Sequence, residues 1–462
     1  MYLTPAIDRL RLRDGLAREP ILALLEAGLQ AVSPEAAVDR CIQVQGTTLR
    51  IVDPASDRSV EHKLISGTKH VFVLGAGKAS VRMAARLESL LGPHLAGGVV
   101  VAPAGAQIRL RHVRQIVGDH PFPTSASEAA GRELLKFAES RTRGDLVLCL
   151  FSGGGSSLIA VPQPGLEPGD LQAVSSELLR SGVPVRPMNI VRRHLSSIHG
   201  GRLAAALRPA SFVTLLLSDV AGDLPETIAS GPTVADPSTY MDALDVIDQY
   251  GVRGRLPGPA LRVLERGRAG ALPETLKPGD SVFRGNPALL AAAAGDAVSA
   301  MAAASQAVGM RPVVVSGPLG GDADALGKRL ARIALRLAVR SRLLLAHGET
   351  TVVVRGSGRG GRNQQAAAAA ALRLSGCGGV IVTSFASDGV DGVTPAAGAI
   401  VDGRTAQLVR ENREGFTLEQ AVADNDCYPA LQASGDLLMT GPTGTNVADL
   451  FVAGGIRFAR KP

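Results

Sequence analysis

The sequence predicts an α/β protein of two domains, and three observations carry that prediction. Strand-like apolar runs alternate with helical patterns over most of the chain. At least five of these runs end in glycine clustered with Lys, Ser, Asp, Arg or Thr: VFVLGAGKAS (71–80), LVLCLFSGGGSS (146–157), TLLLSDVAGD (214–223), TTVVVRGSGRGGRNQ (350–364) and LMTGPTGTN (438–446). Glycine and polar groups at the ends of buried strands are how open parallel sheets bind ligands, phosphates above all. Finally, 462 residues exceed one ordinary core.

A helical stretch from Pro20 to about Val32 comes first. The first βα unit is VFVLGAGKAS followed by VRMAARLESLL, whose apolar residues recur at helical spacing. GGVVVAP (97–103) reads as the next strand, DLVLCLF as another, and a helical pattern starts near Pro168. The alternation runs through TLLLSDV to about Tyr250, which predicts a mostly parallel sheet. From 250 to 285 Pro, Gly and Arg accumulate, as in a connector. A long alanine-rich helix, Pro287 to Val308, and the strand RPVVVSG open a second series. Its strands or strand ends are LLLAHGETTVVVRG, VIVTSFASDG and DLLMTGPTG, and AAAAAALRL (366–374) reads as a helix packed closely on a sheet. The domains are therefore expected at 1–255 and 286–462 with 256–285 between them. Polar strand ends in both halves predict a cleft between the domains, with Lys78 and Asp219 near each other.

Composition narrows the function. With no Trp and 3% aromatic residues the core is aliphatic, and the aromatic platforms of a nucleic-acid reader are missing. The net charge of +7 is spread among interleaved acids and bases, a mild attraction for anionic small molecules rather than for nucleic acid. No apolar run approaches membrane-spanning length, and the N-terminal run lacks the order of a signal peptide. Cys41, Cys149, Cys377 and Cys427 form no CxxC pair, which fits a reducing cytoplasm. Oligomeric state is open, a homodimer included.

In GAGKAS, Gly77 precedes Lys78 at a helix start, where an ammonium and the helix dipole both favour an anion. It is not a dinucleotide fingerprint, because Ser80 replaces the third glycine and the next strand ends without a carboxylate. In SGGGSS, Gly153, Gly154 and Gly155 free the backbone to form an anion nest, and Ser152, Ser156 and Ser157 add hydroxyl donors. MNIVRRHLSSIHGGRLA gathers Asn189, Arg192, Arg193, His194 and Arg202 before LLLSDVAGD. Asp219 and Asp223, just past a buried strand, can bind magnesium through water or accept a hydroxyl proton. His194 and His199 are off the spacing of paired helical zinc ligands. RGSGRGGRNQQ, between a β-branched strand and an alanine-rich helix, reads as a phosphate loop with Arg362 as a fork-shaped donor.

Taken together these motifs resemble the glycerate 2-kinase family, which pairs a Rossmann-like N-terminal domain with a C-terminal α/β domain called MOFRL, here at about 340–455. GAGKAS, CLFSGGGSSL, MN-x-VR-x-HLS with GGRLA, LSDVAGD with IASGPT, GET followed by GGRNQ, SDG-x-DG with AAGAIVDG, and TGPTGTNVADL occur in the family's order. The resemblance implies phosphorylation of D-glycerate at its 2-hydroxyl by ATP with Mg2+, giving 2-phosphoglycerate. It implies Lys78, Asp219 and Arg362 as catalytic, and it extends the substrate and phosphate set to Glu349, Asn363, Asp388, Thr443 and Asn446. His199, His347, Ser357, Gln365, Val393 and Pro395 depart from the family pattern, the last removing a carboxylate. Two other readings remain at this stage: an NAD(P)H-dependent hydroxypyruvate reductase, and a non-catalytic sugar-acid or nucleotide-binding protein.

Overall fold

In the computed structural model the described residues are 6–13, 15–64, 70–105, 108–220, 222–340 and 342–455. Ala221, inside the TLLLSDVAGD run, lies outside them. They form two compact units, one of residues 34–291 and one of the residues up to 33 together with those from 292 onward.

The first unit is built on a six-stranded sheet in the order Val113–Val117, Leu95–Ala102, His70–Ala76, Asp145–Phe151, Ser211–Leu217, Ala288–Ala292. Numbered along the chain this is 3-2-1-4-5-6, and the paired ladders of the first five strands are parallel. All seven residues of Asp145–Phe151 are buried, as expected of a central parallel strand covered on both faces. The order reverses between His70–Ala76 and Asp145–Phe151, and in such sheets the crevice for ligands opens at the carboxyl ends of the strands there. A small antiparallel sheet, Ile42–Gln45, Thr48–Val52 and Ser59–Lys63, precedes it, with no counterpart in the sequence reading.

The second unit has a mixed sheet, ordered Arg311–Val314, Arg342–Thr351, Asp449–Gly455, Val380–Ala386, Gly398–Asp402, Leu437–Leu438. Arg311–Val314 runs parallel to its neighbour, and the other pairs along this path are antiparallel. Helix Arg362–Leu374 buries Ala366 to Ala371 completely. Small side chains are required because helix Ala323–Ala338 comes so close: a Cβ on Gly327 would lie 2.0 Å from the Ala366 carbonyl oxygen.

Three sequence expectations are corrected. The division at 255 and 285 gives way to 34–291, because Arg13 and Arg18 are ion-paired to Asp402 and Asp436, and Gly28 of helix Gly15–Ala31 meets Met301. The expected connector carries helix Gly258–Arg268, whose Ala260, Val263 and Leu264 join the core around Tyr240. The expected helix from Pro287 to Val308 is a strand, Ala288–Ala292, and then a helix, Ala294–Ala307. The helix begins where Asp296 accepts the Ala293 N–H at 2.9 Å. Sheet pairing overrides the helix propensity of alanine here. Among the described residues no single helix is long and apolar enough to cross a membrane.

The close helix approach is testable. Gly327→Ala must push the two helices apart and is expected to destabilise the protein by about 1–3 kcal/mol in denaturant unfolding; a change below about 0.5 kcal/mol would contradict the packing.

Candidate active site

The sheet reversal brings two loops of the first unit into contact. The Lys78 N–H donates to the Gly153 carbonyl at 2.9 Å, Ala79 N–H to Ser152 Oγ at 3.0 Å, and Ser152 N–H to the Ala76 carbonyl at 3.2 Å. The approach requires glycine at 77, where φ is +136° and a Cβ would meet Ser152 Oγ at 2.2 Å. Asp219, at the end of the next strand, lies against the same loop: a Cβ on Gly153 would stand 2.0 Å from its Oδ2. A Cβ on Gly154 would stand 3.6 Å from Lys78 Cγ and 3.0 Å from His120 Cδ2. Lys78, Asp219 and His120 thus surround one glycine turn. Burial, then Lys78 and then Arg192, hold the His120 imidazole below its ordinary pKa, so at neutral pH it is uncharged beside the lysine.

Within the turn several expected ligands have internal duties. Ser152 caps Ala79, Ser157 Oγ donates to the Gly154 carbonyl, and Gly155 N–H donates to the Ser152 carbonyl. The N–H groups of Gly153, Gly154 and Ser156 have no acceptor among the described residues. Ser156 Oγ shares a 2.8 Å hydrogen bond with Ser230 Oγ.

The arginine-rich helix Val185–His194 divides its charges. Arg193 is buried on Asp236 at 3.0 Å and also donates to Ser238 Oγ and the Glu226 carbonyl. Arg202 donates to the carbonyls of Arg193 and His199. His194 is held by the Ile190 carbonyl and Glu274 and stacks edge-on to Tyr240 at 4.8 Å. All three, expected from the sequence to bind substrate, are engaged by partners within the fold. Asn189 is buried, with its Oδ1 unpartnered. Arg192 differs from Arg193: it donates to Ser175 Oγ at 3.1 Å and has no carboxylate partner among the described residues. Burial alone lowers its pKa.

In the second unit Arg362 opens helix Arg362–Leu374 and forks onto Asp449, with Nε to Oδ2 at 2.7 Å and Nη2 to Oδ1 at 3.1 Å; Nη1 reaches the more exposed Glu349. Burial disfavours the Arg362 charge, yet Asp449 and Glu349 outweigh it and hold the guanidinium above its ordinary pKa. Burial raises the Asp449 carboxyl to about 6, so the pair is charged at neutral pH. Asp391 accepts the N–H groups of Asn363 and Gln364 at 3.0 and 2.8 Å, fixing the helix start. The Asn363 side chain, expected to bind substrate, is fully buried between Asp449, Asp391 and Ser384. Thr443 Oγ1 likewise donates to the Ser387 carbonyl. Arg362, Asp388 and Asn446 line a cavity of about 600 Å³ with Asp449, Val354 and Val393.

Among the described residues no three acidic, His or Cys side chains group as a ready metal cage. Asp223 sits close in sequence to Asp219, in a left-handed backbone at φ +50°. His120 escapes motif reading because it stands alone among unremarkable neighbours, while Asp391 and Asp449 lie inside the SDG-x-DG and TGPTGTNVADL motifs and only the fold shows that they brace Asn363 and Arg362.

The family model described as a domain of unknown function, DUF4147, matches residues 21–265, and that of the MOFRL family matches 342–449. A glycerate 2-kinase of Pyrococcus horikoshii is 34% identical over 446 residues, covering 94% of this chain and 97% of its own. A D-glycerate 2-kinase of Thermotoga maritima is 36% identical over 427 residues, covering 91% and 98%. A putative hydroxypyruvate reductase of Agrobacterium vitis is 39% identical over 386 residues, covering 82% and 85%. The crystal structure of glycerate kinase from Thermotoga maritima superposes with a TM-score of 0.81 at 33% identity, covering 96% of this chain and all of that one.

Next to Arg192 lies His199, buried, its pKa lowered to about 3 by burial first and then by Arg192, Arg202 and Arg193. Because this lies below the ordinary 6.5, the unfolded chain binds the extra proton between those values. The stability His199 contributes is complete above pH 6.5 and is lost as pH falls towards 3. His199→Gln is expected to flatten the fall of unfolding free energy in that window by up to about 1.4 kcal/mol per pH unit. An unchanged slope in urea titrations from pH 7 to 4 would contradict the buried neutral imidazole.

Proposed function

The chain belongs to the glycerate 2-kinase family, and from that premise we propose that it transfers the γ-phosphoryl group of ATP to the 2-hydroxyl of D-glycerate, giving 2-phosphoglycerate and ADP. The observation that carries the reading is the convergence of Lys78, Asp219 and the free N–H groups of Gly153, Gly154 and Ser156 on one turn at the sheet reversal. Phosphoryl transfer needs neutralised charge and an oriented hydroxyl more than covalent help. Lys78, exposed at its loop, supplies a mobile positive charge to phosphate oxygens, and the open amides add fixed donors. Asp219 orients the acceptor hydroxyl and takes its proton.

In the second unit we propose Arg362 as a donor to phosphate. To reach a phosphoryl oxygen it must release one carboxylate, and Glu349, whose side chain is 53% exposed, yields at lower cost than Asp449 at 1%. Asp449 then acts as the anchor that keeps the guanidinium aimed. For the same reason Arg362→Ala would strand a buried carboxylate, so Arg362→Lys is the cleaner probe of its chemistry.

Magnesium fits Asp219 and Asp223, since this ion keeps several waters and asks for one or two carboxylates beside substrate phosphates. Bound there with the nucleotide, it would spread the charge developing on the transferring group. We place the enzyme in the cytoplasm, where ATP is supplied and its free cysteines stay reduced.

Hydride transfer has less support. The turn after His70–Ala76 puts Ser80 where a dinucleotide loop needs its third glycine, and Leu95–Ala102 runs into Pro103 with no carboxylate for a ribose hydroxyl.

Lys78→Met is expected to lower kcat by about 100-fold or more with the fold intact by circular dichroism; near-normal turnover would remove Lys78 from the mechanism. Product regiochemistry is checked by coupling to enolase with no phosphoglycerate mutase present. An immediate signal marks the 2-phosphate, and a signal only after mutase is added would mean phosphorylation at the 3-hydroxyl.

A further inference from the structure

Behind the glycine turn the first unit encloses a small hollow of about 20 Å³, lined by Arg192, His199, Ser156, Ser175, Ser196 and Ser230 among others. Leu171, Val174 and Leu195 make part of its wall apolar, and two of its polar groups are electrically incomplete. Arg192 has no carboxylate partner among the described residues, in contrast to Arg193 one position along. His199 is 3% exposed, and its Nε2 has no hydrogen-bond partner among the described residues.

The hydrogen bonds around Ser196 assign the tautomer. Ser196 Oγ accepts the N–H groups of Ile198 and His199 at 3.3 and 3.4 Å, so its own proton goes to His199 Nδ1 at 2.8 Å. Nε2 therefore carries the imidazole hydrogen, a buried donor with nothing to donate to. An unmet buried donor beside an uncompensated guanidinium asks for an anionic acceptor. Ser230 and Ala229 adopt left-handed backbone, at φ +58° and +49°, where non-glycine residues are strained, and the Ser230 hydroxyl meets Ser156 at the hollow. The hollow has room for one small polar group at most and excludes a nucleotide phosphate chain. Two coplanar oxygens suit a guanidinium on one side and a single N–H on the other.

We propose that this hollow is the subsite for the carboxylate of the hydroxy-acid substrate, gripped by the Arg192 guanidinium and the Nε2–H of His199. The assignment rests on the glycerate reading above and deepens it. Ser156 belongs both to the hollow and to the turn that touches Lys78 and Asp219, so an acid anchored here presents the hydroxyl next to its carboxylate to the phosphoryl-transfer groups. Neutral analogues such as glycerol leave both donors unmet and are rejected.

The test uses the full chain labelled with ¹⁵N at histidine. D-Glycerate added without nucleotide is expected to shift the His199 Nε2 resonance saturably, and glycerol is expected to leave it in place. A titration in which no carboxylate moves that resonance overturns the proposal. In steady state His199→Leu is expected to raise the KM for glycerate by about 10-fold or more, the cost of one hydrogen bond to a charged group, with the KM for ATP unchanged. His199→Gln, which keeps an N–H donor, recovers most of the loss. A rise in the ATP KM, or equal effects of Leu and Gln, counts against the subsite. If the wild type releases no ADP with glycerate, the kinase reading has failed, and the resonance shift with lactate, acetate and glycerate still decides the subsite by itself.

Discussion

Everything in the first unit turns on the reversal of strand order between His70–Ala76 and Asp145–Phe151. At that point two chain ends leave adjacent parallel strands in opposite directions, and their loops are tied by the hydrogen bonds of Ala76, Lys78 and Ala79 to Ser152 and Gly153. The tie demands a residue without a side chain at 77 and again at 153, where Asp219 occupies the space. Backbone economy at two glycines thus fixes where a cation and a carboxylate stand relative to each other, and that pairing is what a phosphoryl transfer requires.

Charge distribution separates structural from chemical groups. Arg13, Arg18 and Arg193 are matched to buried carboxylates, and each match closes a packing problem within its own unit. Arg362 is matched to Asp449 but also reaches outward to an exposed Glu349, which gives it an exchangeable contact. Among the described residues Arg192 has no carboxylate partner and His199 Nε2 has no acceptor, and a protein tolerates such groups where a ligand completes them.

Much of this was legible in the sequence because it is local. Apolar runs ending in Gly77-Lys78 and Ser152-Gly153-Gly154 announce strand ends, and the alternation of patterns announces a parallel sheet. The partition of the arginines was not, since Arg192 and Arg193 are neighbours in the chain yet point about 100° apart on their helix. Nor was the joining of the first 33 residues to those from 292 onward, which depends on ion pairs spanning nearly 400 positions, such as Arg13 with Asp402 at |i−j| of 389. The strand Ala288–Ala292 was read as helix because alanine favours helix and only its place at the sheet edge decides otherwise.

The central claim is that the glycine turn places Asp219 for chemistry, and Gly153→Ala tests it most directly. The new methyl would have to displace the Asp219 carboxylate, the far end of a side chain that can rotate away, so the fold should hold while the catalytic geometry fails. The account predicts a glycerate kinase turnover reduced by about 100-fold, with unfolding free energy changed by less than about 1 kcal/mol. Turnover within a few-fold of the wild type, in a protein shown to be folded, would contradict it.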